Sequence, residues 1–459
     1  MGHLRDVVED AARGALNMDL SLGPRVLVVN GEPFNRSSAT GITMSNLFLE
    51  WPQERLGQVF TANMATERRA TGCNIQLSSR DLFPFSHFRA SAASAEAHGA
   101  PSELKGNDFA TSGREMVRAY TRKLVSPLLE FLPYNIPTEA MGRIASFQPD
   151  VIYSMLGSIR MVALVSTLSK RLNIPVVPHF MDDWISTYSV PGRSVGSPLH
   201  ARYLQSAVKE LFGSVPVAMS IGEMMSEEYS KRFSRGFFDF MNPVVVDDDF
   251  PRATLRNADD VVRFVYVGGL HLGRADCLVD IAEAVHEVAA AGRLIELHIY
   301  APETDAIAAK ALQAISPSVL YRGSIPQNQV RSVLDQSDVA VHVESFDDRC
   351  AEYTRLSVST KIPQYMAAGI PLLAYGPASL ASCRYVQSTG SGVLVGARDK
   401  SAIRDAVESL VSSEQFRSEL GLCGWQQARE FHDGRVVRKR FRDVLSSAAS
   451  AGNSGALHE

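Results

Sequence analysis

Two cations far apart in the chain have the plainest chemical use. Lys361 lies in the stretch Ser357–Gly376, SVSTKIPQYMAAGIPLLAYG, and Arg274 ends the stretch VGGLHLGR at 267–274. A guanidinium and an ammonium brought onto one ligand suit a diphosphate, and charge-assisted contacts of that kind contribute roughly 1.5–3 kcal/mol each. Ser359 and Thr360 are residue types that cap a helix at its first turn, which would set Lys361 beside exposed N–H groups. Lysine is unfavourable at a helix start unless an anion offsets it, so an anion site is expected there, with a solvated lysine as the alternative. Gly268 and Gly269 let a backbone come close to a ligand. The main chain of YAPE, beginning at Tyr300, can line a pocket, and the loop YRGSIP at 321–326 offers donors and acceptors to a nucleobase edge. These features predict a nucleoside-diphosphate site at the strand ends.

A second set of polar residues lies upstream. HFMDDW carries His179, Asp182 and Asp183, and LGSIR carries Gly157 and Ser158. His179 either orients an acceptor hydroxyl or positions a base, or is a structural histidine held by backbone groups; the sequence leaves both open. Asp182 and Asp183 follow a strand and are candidate site acids, whereas Asp247–Asp249 read as solvated linker acids. Gly41, in GEPFNRSSATG, either touches a ligand with its backbone or makes a tight turn between strand and helix.

The elements that must position these residues alternate strand and helix. Upstream strands are expected at Arg25–Asn30, Leu56–Thr61, Val151–Met155, Ile174–His179 and Val215–Ser220. Downstream strands are expected at Val262–Val267, Leu294–Tyr300, Val319–Tyr321, Val339–Val343, Pro371–Tyr375 and Gly392–Val395. Helices fill the gaps, which implies α/β architecture with parallel sheets. In such sheets ligands bind beyond the C-terminal strand ends, where all of the residues above fall. Ile362, Tyr365 and Met366 are spaced as the inward face of one helix, which Gly369 ends and Pro371 keeps from resuming.

The expected organisation is an N-terminal extension over 1–23, a Rossmann-like domain over 24–245 and a linker over 246–259. A second Rossmann-like domain over 260–430, a returning helix over 431–447 and a disordered tail over 448–459 follow. Residues 78–113 read as an irregular insertion, and Glu115–Leu132 as a basic amphipathic helix, either an ordinary surface helix or a membrane-surface one.

Composition narrows the field further. Of 459 residues 45% are hydrophobic and 21% charged, as in an ordinary globular enzyme. A formal net charge of −4 gives no reason to expect nucleic-acid binding. The five cysteines are odd in number, widely spaced and lack a CxxC pair, so no zinc site or disulfide framework is expected. A cytoplasmic location fits, with peripheral contact at the inner face of the membrane left open.

The pattern of VGGL…GR, YRGSIP and above all STKIPQYMAAGIPLLAYG resembles the GT-B glycosyltransferases, more narrowly the retaining family-4 type seen often in bacterial polysaccharide assembly. VVNGEPFNRSSATGITMSNLF and HFMDDW are similar to a branch of the same enzymes. The resemblance implies two Rossmann-like domains facing a central cleft, with a C-terminal helix crossing back to the N-terminal domain. It implies a nucleoside-diphosphate sugar held by Gly268, Gly269, Arg274, Tyr300, Ser359, Thr360 and Lys361, the base near main chain of Arg322 and Ile325, and Gln364 on the ribose. It makes Arg274, Lys361, His179 and Asp182 the catalytic candidates, and Gly41, Gly157, Ser158 and Asp183 the acceptor side. No metal and no cofactor beyond the co-substrate are implied. The acceptor would be a glycan, a lipid-linked glycan or a small metabolite, and homo-oligomerisation stays open. One departure is plain: many members carry two glutamates eight positions apart, and here Leu356 and Gln364 stand in those places. Sugar-nucleotide epimerases or hydrolases, or a non-catalytic partner subunit on the same plan, are the alternatives.

Overall fold

The computed structural model describes residues 23–66, 72–78, 81, 134, 136–187, 198–251 and 261–455. Residues 1–22 of the expected extension, the basic helix over 115–132 and nearly all of 78–113 lie outside the described residues. The chain divides into an upstream unit, residues 1–240 with 438–459, and a downstream unit, residues 241–437.

Among the described residues the upstream unit holds a seven-stranded sheet: β1 (Val26–Asn30), β2 (Leu56–Phe60), β3 (Cys73–Gln76), β4 (Val151–Ser154), β5 (Val176–Phe180), β6 (Val217–Ser220) and β7 (Gly236–Asp239). Their order is β3-β2-β1-β4-β5-β6-β7, and the pairings are parallel. The continuous apolar runs expected of strands covered on both faces are present in β1 and β4, buried along their whole length. β3 and β7 went unseen in the sequence because each is a four-residue edge strand of mixed burial. The tail also departs from expectation. The last helix runs Gly434–Gly455, and Ala448 and Ala449 are buried, so residues 448–455 are ordered by packing on the upstream unit. On the same helix, Phe441 sits edge-on to Phe48 at 5.0 Å, Tyr153 at 5.4 Å and Phe240 at 5.6 Å between ring centroids.

The downstream unit holds a six-stranded sheet: β8 (Val262–Val267), β9 (Ile295–Tyr300), β10 (Val319–Gly323), β11 (Val339–Val343), β12 (Leu372–Tyr375) and β13 (Gly392–Val395). The order β10-β9-β8-β11-β12-β13 repeats the doubly wound plan, and the pairings are again parallel. Phe264, Leu297, Val341 and Leu373 fill its core with Leu278, Ile281 and Val285 from the helix Arg274–Ala290. Burying side chains of that size contributes about 1.5–3 kcal/mol each. Inside this core Asp280 accepts from the Tyr375 hydroxyl at 2.9 Å and from Arg398 Nε at 2.8 Å, which ties that helix to β12 and to the segment after β13. In a sheet of this order the chain reverses direction across it between β8 and β11, which is where a ligand crevice forms beyond the strand ends.

Candidate active site

The loop that leaves β8 is fixed before any ligand arrives. Gly268 N–H donates to Tyr300 O at 2.9 Å, the Tyr266 hydroxyl donates to Gly269 O at 2.6 Å, and Leu270 N–H donates to Asp305 Oδ2 at 2.8 Å. Leu272 and Gly273 then both take positive φ, +59° and +70°, to turn the chain into the helix that begins with Arg274. For Leu272 this is a sparsely populated conformation, of the sort that clusters around binding loops. Gly268 has φ +154°, and a Cβ placed there would collide with the Lys361 ammonium.

The two cations therefore meet. Lys361 Nζ lies against Gly268 and 5.8 Å from the centroid of the Tyr266 ring. Arg274 closes the same corner from the helix after β8, 3.8 Å from the carboxylate of Glu344 at the end of β11. Burial, with the Arg274 charge added to it and Glu344 opposing, brings the half-buried Lys361 down to about 7. Burial raises the Tyr266 hydroxyl above its ordinary value, with Arg274 acting against it. An ammonium and a guanidinium whose charges act on one another in one corner suit a doubly charged anion.

The helix that carries Lys361 differs in detail from expectation. It spans only Ile362–Ala367, its N-cap residue is Lys361 itself, and no side chain caps it. Ser359 and Thr360 thus precede the helix instead of capping it, and the Ser359 N–H is already given to Ser382 Oγ at 3.0 Å. Ile362, Tyr365 and Met366 are buried as their spacing requires, and Gly369 ends the segment with φ +69°. Gln364 is half-buried, whereas Leu356 is a core residue, 1% exposed. Tyr300 closes β9 and accepts from the glycine loop through its carbonyl. Arg322 is exposed and its guanidinium reaches His298 Nε2 at 3.3 Å, so any base contact there falls to the main chain. Ile325 follows β10, the edge strand, in the loop after Gly323.

The upstream candidates separate into two kinds. His179 is completely buried inside β5, where the Tyr153 hydroxyl lies 2.7 Å from Nδ1 and Phe240 O lies 3.2 Å from Nε2. Burial pulls its ring down to about 4, against the raising effect of backbone bonds from Phe240 and Ser220. A neutral ring with both nitrogens engaged does not shuttle protons, so the geometry assigns His179 to structure. Asp183 is structural too: it is buried, and Oδ1 accepts from the Tyr229 hydroxyl at 2.6 Å. Gly41 is a packing glycine, since a Cβ there would overlap the Asn35 side chain; Asn35 Oδ1 is itself occupied by the N–H groups of Ser37 and Ser38. Gly157 and Ser158 remain at the open end of β4. Gly157 is exposed with φ +102°, and Ser158 caps the helix Ile159–Leu172 through a bond from Met161 N–H. Asp182 is half-buried just past β5.

Sequence reasoning did not single out Tyr266, Asp305, His342 or Glu344. A polar residue inside an apolar strand and another directly after it, as in VAVHVE at 339–344, were the available signals for the last two. Among the described residues no group of three or more His, Cys, Asp and Glu side chains is arranged to hold a metal ion.

Residues 261–413, which contain this whole corner, match the family described as Glycosyl transferases group 1. The match lies inside the downstream unit and covers about a third of the chain. No curated protein matches the sequence. In structure the chain is similar to Anabaena Alr3699/HepE, solved in complex with UDP and glucose, at 11% identity and a TM-score of 0.58, over 92% of this chain and 100% of that one. It is also similar to sucrose-phosphate synthase (tll1590) from Thermosynechococcus elongatus, at 12% identity and a TM-score of 0.55, over 91% of this chain and 97% of that one. A trehalose-6-phosphate structure from E. coli bound with UDP-2-fluoro glucose is similar at 11% identity and a TM-score of 0.57, over 92% and 99%. These likenesses give the group 1 domain its setting, a GT-B fold of two parallel-sheet α/β domains.

Proposed function

We propose that the downstream unit binds a nucleoside-diphosphate sugar and that the protein transfers the sugar to an acceptor nucleophile with retention, without a metal. The observation that carries this reading is the convergence of Arg274, Lys361 and the Gly268–Gly269 loop beyond β8, inside the glycosyl transferases group 1 match. Arg274 and Lys361 stabilise the charge that grows on the departing diphosphate, and the loop backbone packs against it. Main chain near Arg322 and Ile325 takes the base, and Gln364 a ribose hydroxyl. The UDP in the Anabaena structure and the UDP-2-fluoro glucose in the E. coli structure favour a uridine donor. On the upstream unit, Gly157, Ser158 and Asp182 are the residues left to meet an acceptor, a glycan, lipid-linked glycan or small metabolite. No helix among the described residues is long and apolar enough to cross a membrane.

A thermal-shift screen over UDP-, GDP- and dTDP-sugars tests the donor directly, since a ligand at 100 times its dissociation constant adds about 2.7 kcal/mol of stability. In the variant Lys361→Ala, turnover with the donor so found falls at least tenfold while the melting transition of the free protein persists. Near-normal turnover removes Lys361 from the site.

One observation favours a second reading. Leu356, at the place where the resemblance expects a sugar-contacting glutamate, is buried in the core. A non-catalytic subunit that binds a nucleotide-sugar fits that burial, and binding without turnover across a broad acceptor panel identifies it.

A further inference from the structure

Glu344 is the most deeply placed acid of the downstream corner, and the transfer reaction as proposed does not use it. Its side chain is 4% exposed at the end of β11, the strand at which the sheet order reverses. The surroundings are built to hold it there. Its N–H donates to Tyr375 O at 2.9 Å, and its carbonyl accepts from Cys277 Sγ at 3.3 Å. Beside it stands Gly376, where a Cβ would come within 2.8 Å of both the Glu344 Cβ and its carbonyl oxygen. Room for this side chain therefore requires glycine at the end of β12.

The carboxylate faces an imidazole on one side and a guanidinium on the other. Oε1 is 3.2 Å from His342 Nε2, and Oε2 is 3.8 Å from an Arg274 terminal nitrogen. The second separation is an ion pair longer than a hydrogen bond. A carboxylate this deeply buried is costly unless positive charge surrounds it. Burial alone would raise the Glu344 carboxyl, yet His342, Arg274 and Lys361 together hold it below the usual carboxylate range. The dependence runs both ways, because Lys361 next to Arg274 is a like-charge pair that needs an anion nearby.

We propose that Glu344 is a positioning residue of this site: its fixed carboxylate holds Arg274 in the corner and offsets the combined positive charge of Arg274 and Lys361. With the cations already aligned, an arriving diphosphate loses less to ordering them. The ligand side of this inference rests on the nucleotide-sugar reading above; the charge coupling does not. The titratable and charged groups around the pair are Tyr266 from β8, Arg274 and Cys277 from the helix Arg274–Ala290, and Asp305 after β9. His342 comes from β11, Tyr365 from the short helix carrying Lys361, and Cys383 from the helix Ala381–Ser388.

The test reads Lys361 itself. Protein carrying lysine enriched with carbon-13 at Cε is titrated by NMR without nucleotide, and the Lys361 signal is the one missing from Lys361→Gln. In Glu344→Gln the Lys361 midpoint falls by about one pH unit or more. Glu344→Asp restores part of the difference, which a purely structural role would not do in proportion to charge. In Arg274→Gln, where Glu344 stays and the competing cation goes, the midpoint rises. An unchanged Lys361 midpoint in folded Glu344→Gln overturns the proposal. If Glu344→Gln does not fold, an unchanged midpoint in Arg274→Gln overturns it in its place. Calorimetry of UDP with the wild-type protein decides the nucleotide reading separately, so a failure to bind UDP is not confused with a failure of the charge coupling.

Discussion

Replacing Gly268 by alanine separates the two demands that this corner makes on the chain. Gly268 holds φ +154°, a region left almost entirely to glycine, so any Cβ there costs about 1–3 kcal/mol of stability. The added methyl also meets the Lys361 ammonium and its Cε, and the nearest atom beyond that side chain, the Tyr266 hydroxyl, lies 3.5 Å away. Because the obstructing atom is the end of a flexible side chain, Lys361 withdraws and the fold survives. What is lost is the position of one charged donor, worth roughly 1.5–3 kcal/mol. That predicts a nucleoside-diphosphate affinity reduced about tenfold to a hundredfold. Urea denaturation followed by isothermal calorimetry measures the two effects separately, with an unchanged m-value showing that only stability moved. In a Lys361→Ala background the same methyl has little left to displace, so the two substitutions are less than additive for binding. Full affinity in Gly268→Ala, or an undiminished loss in the Lys361→Ala background, refutes the placement of the ammonium over the glycine loop.

Two further outcomes concern pH. Lys361 sits at about 7 in the free protein, below an ordinary lysine, so above pH 7 the unfolded chain holds the extra proton and stability gains from rising pH. Binding of a diphosphate favours the charged form, so affinity is full below about pH 7 and declines as pH rises through that value; calorimetry at pH 8 in buffers of differing ionisation enthalpy shows proton uptake that disappears in Lys361→Gln. His179 sits at about 4, also below its unfolded value, so its neutral burial costs nothing above about pH 6.5 and costs progressively more as pH falls toward 4, reaching about 3 kcal/mol. His179→Gln therefore shows a shallower decline of unfolding free energy between those pH values, and an identical slope places the ring in contact with solvent.

The alternation of apolar strands and helices was legible because strands covered on both faces have few ways to be written, as in RVLVVN and VAVHV. Arg274 and Lys361 were legible as a pair because glycine loops and helix starts recur at strand ends of a doubly wound sheet. Distinguishing a buried role from an exposed one was beyond the sequence. His179 and Asp182 are three residues apart, yet one lies wholly inside β5 and the other at its rim, and only the register of β5 against β6 decides which. Gly41 looked like a ligand loop because a flexible turn and a tight packing contact demand the same residue. The tail looked disordered because small and polar residues predominate in it, although alanines are what the close packing of that helix on the upstream unit requires. Glu344 was obscured by its acidic neighbours, since burial and not charge sets it apart from Asp347 and Asp348.

The central claim is that Arg274 and Lys361 share one diphosphate. Its most direct measurement compares the affinity of a nucleoside diphosphate with that of the same nucleoside, in the wild-type protein and in the double variant Arg274→Gln/Lys361→Met. The account predicts that the diphosphate improves wild-type affinity by about a hundredfold or more, from two charge-assisted contacts, and by less than about tenfold in the double variant. An equal improvement in both proteins contradicts it.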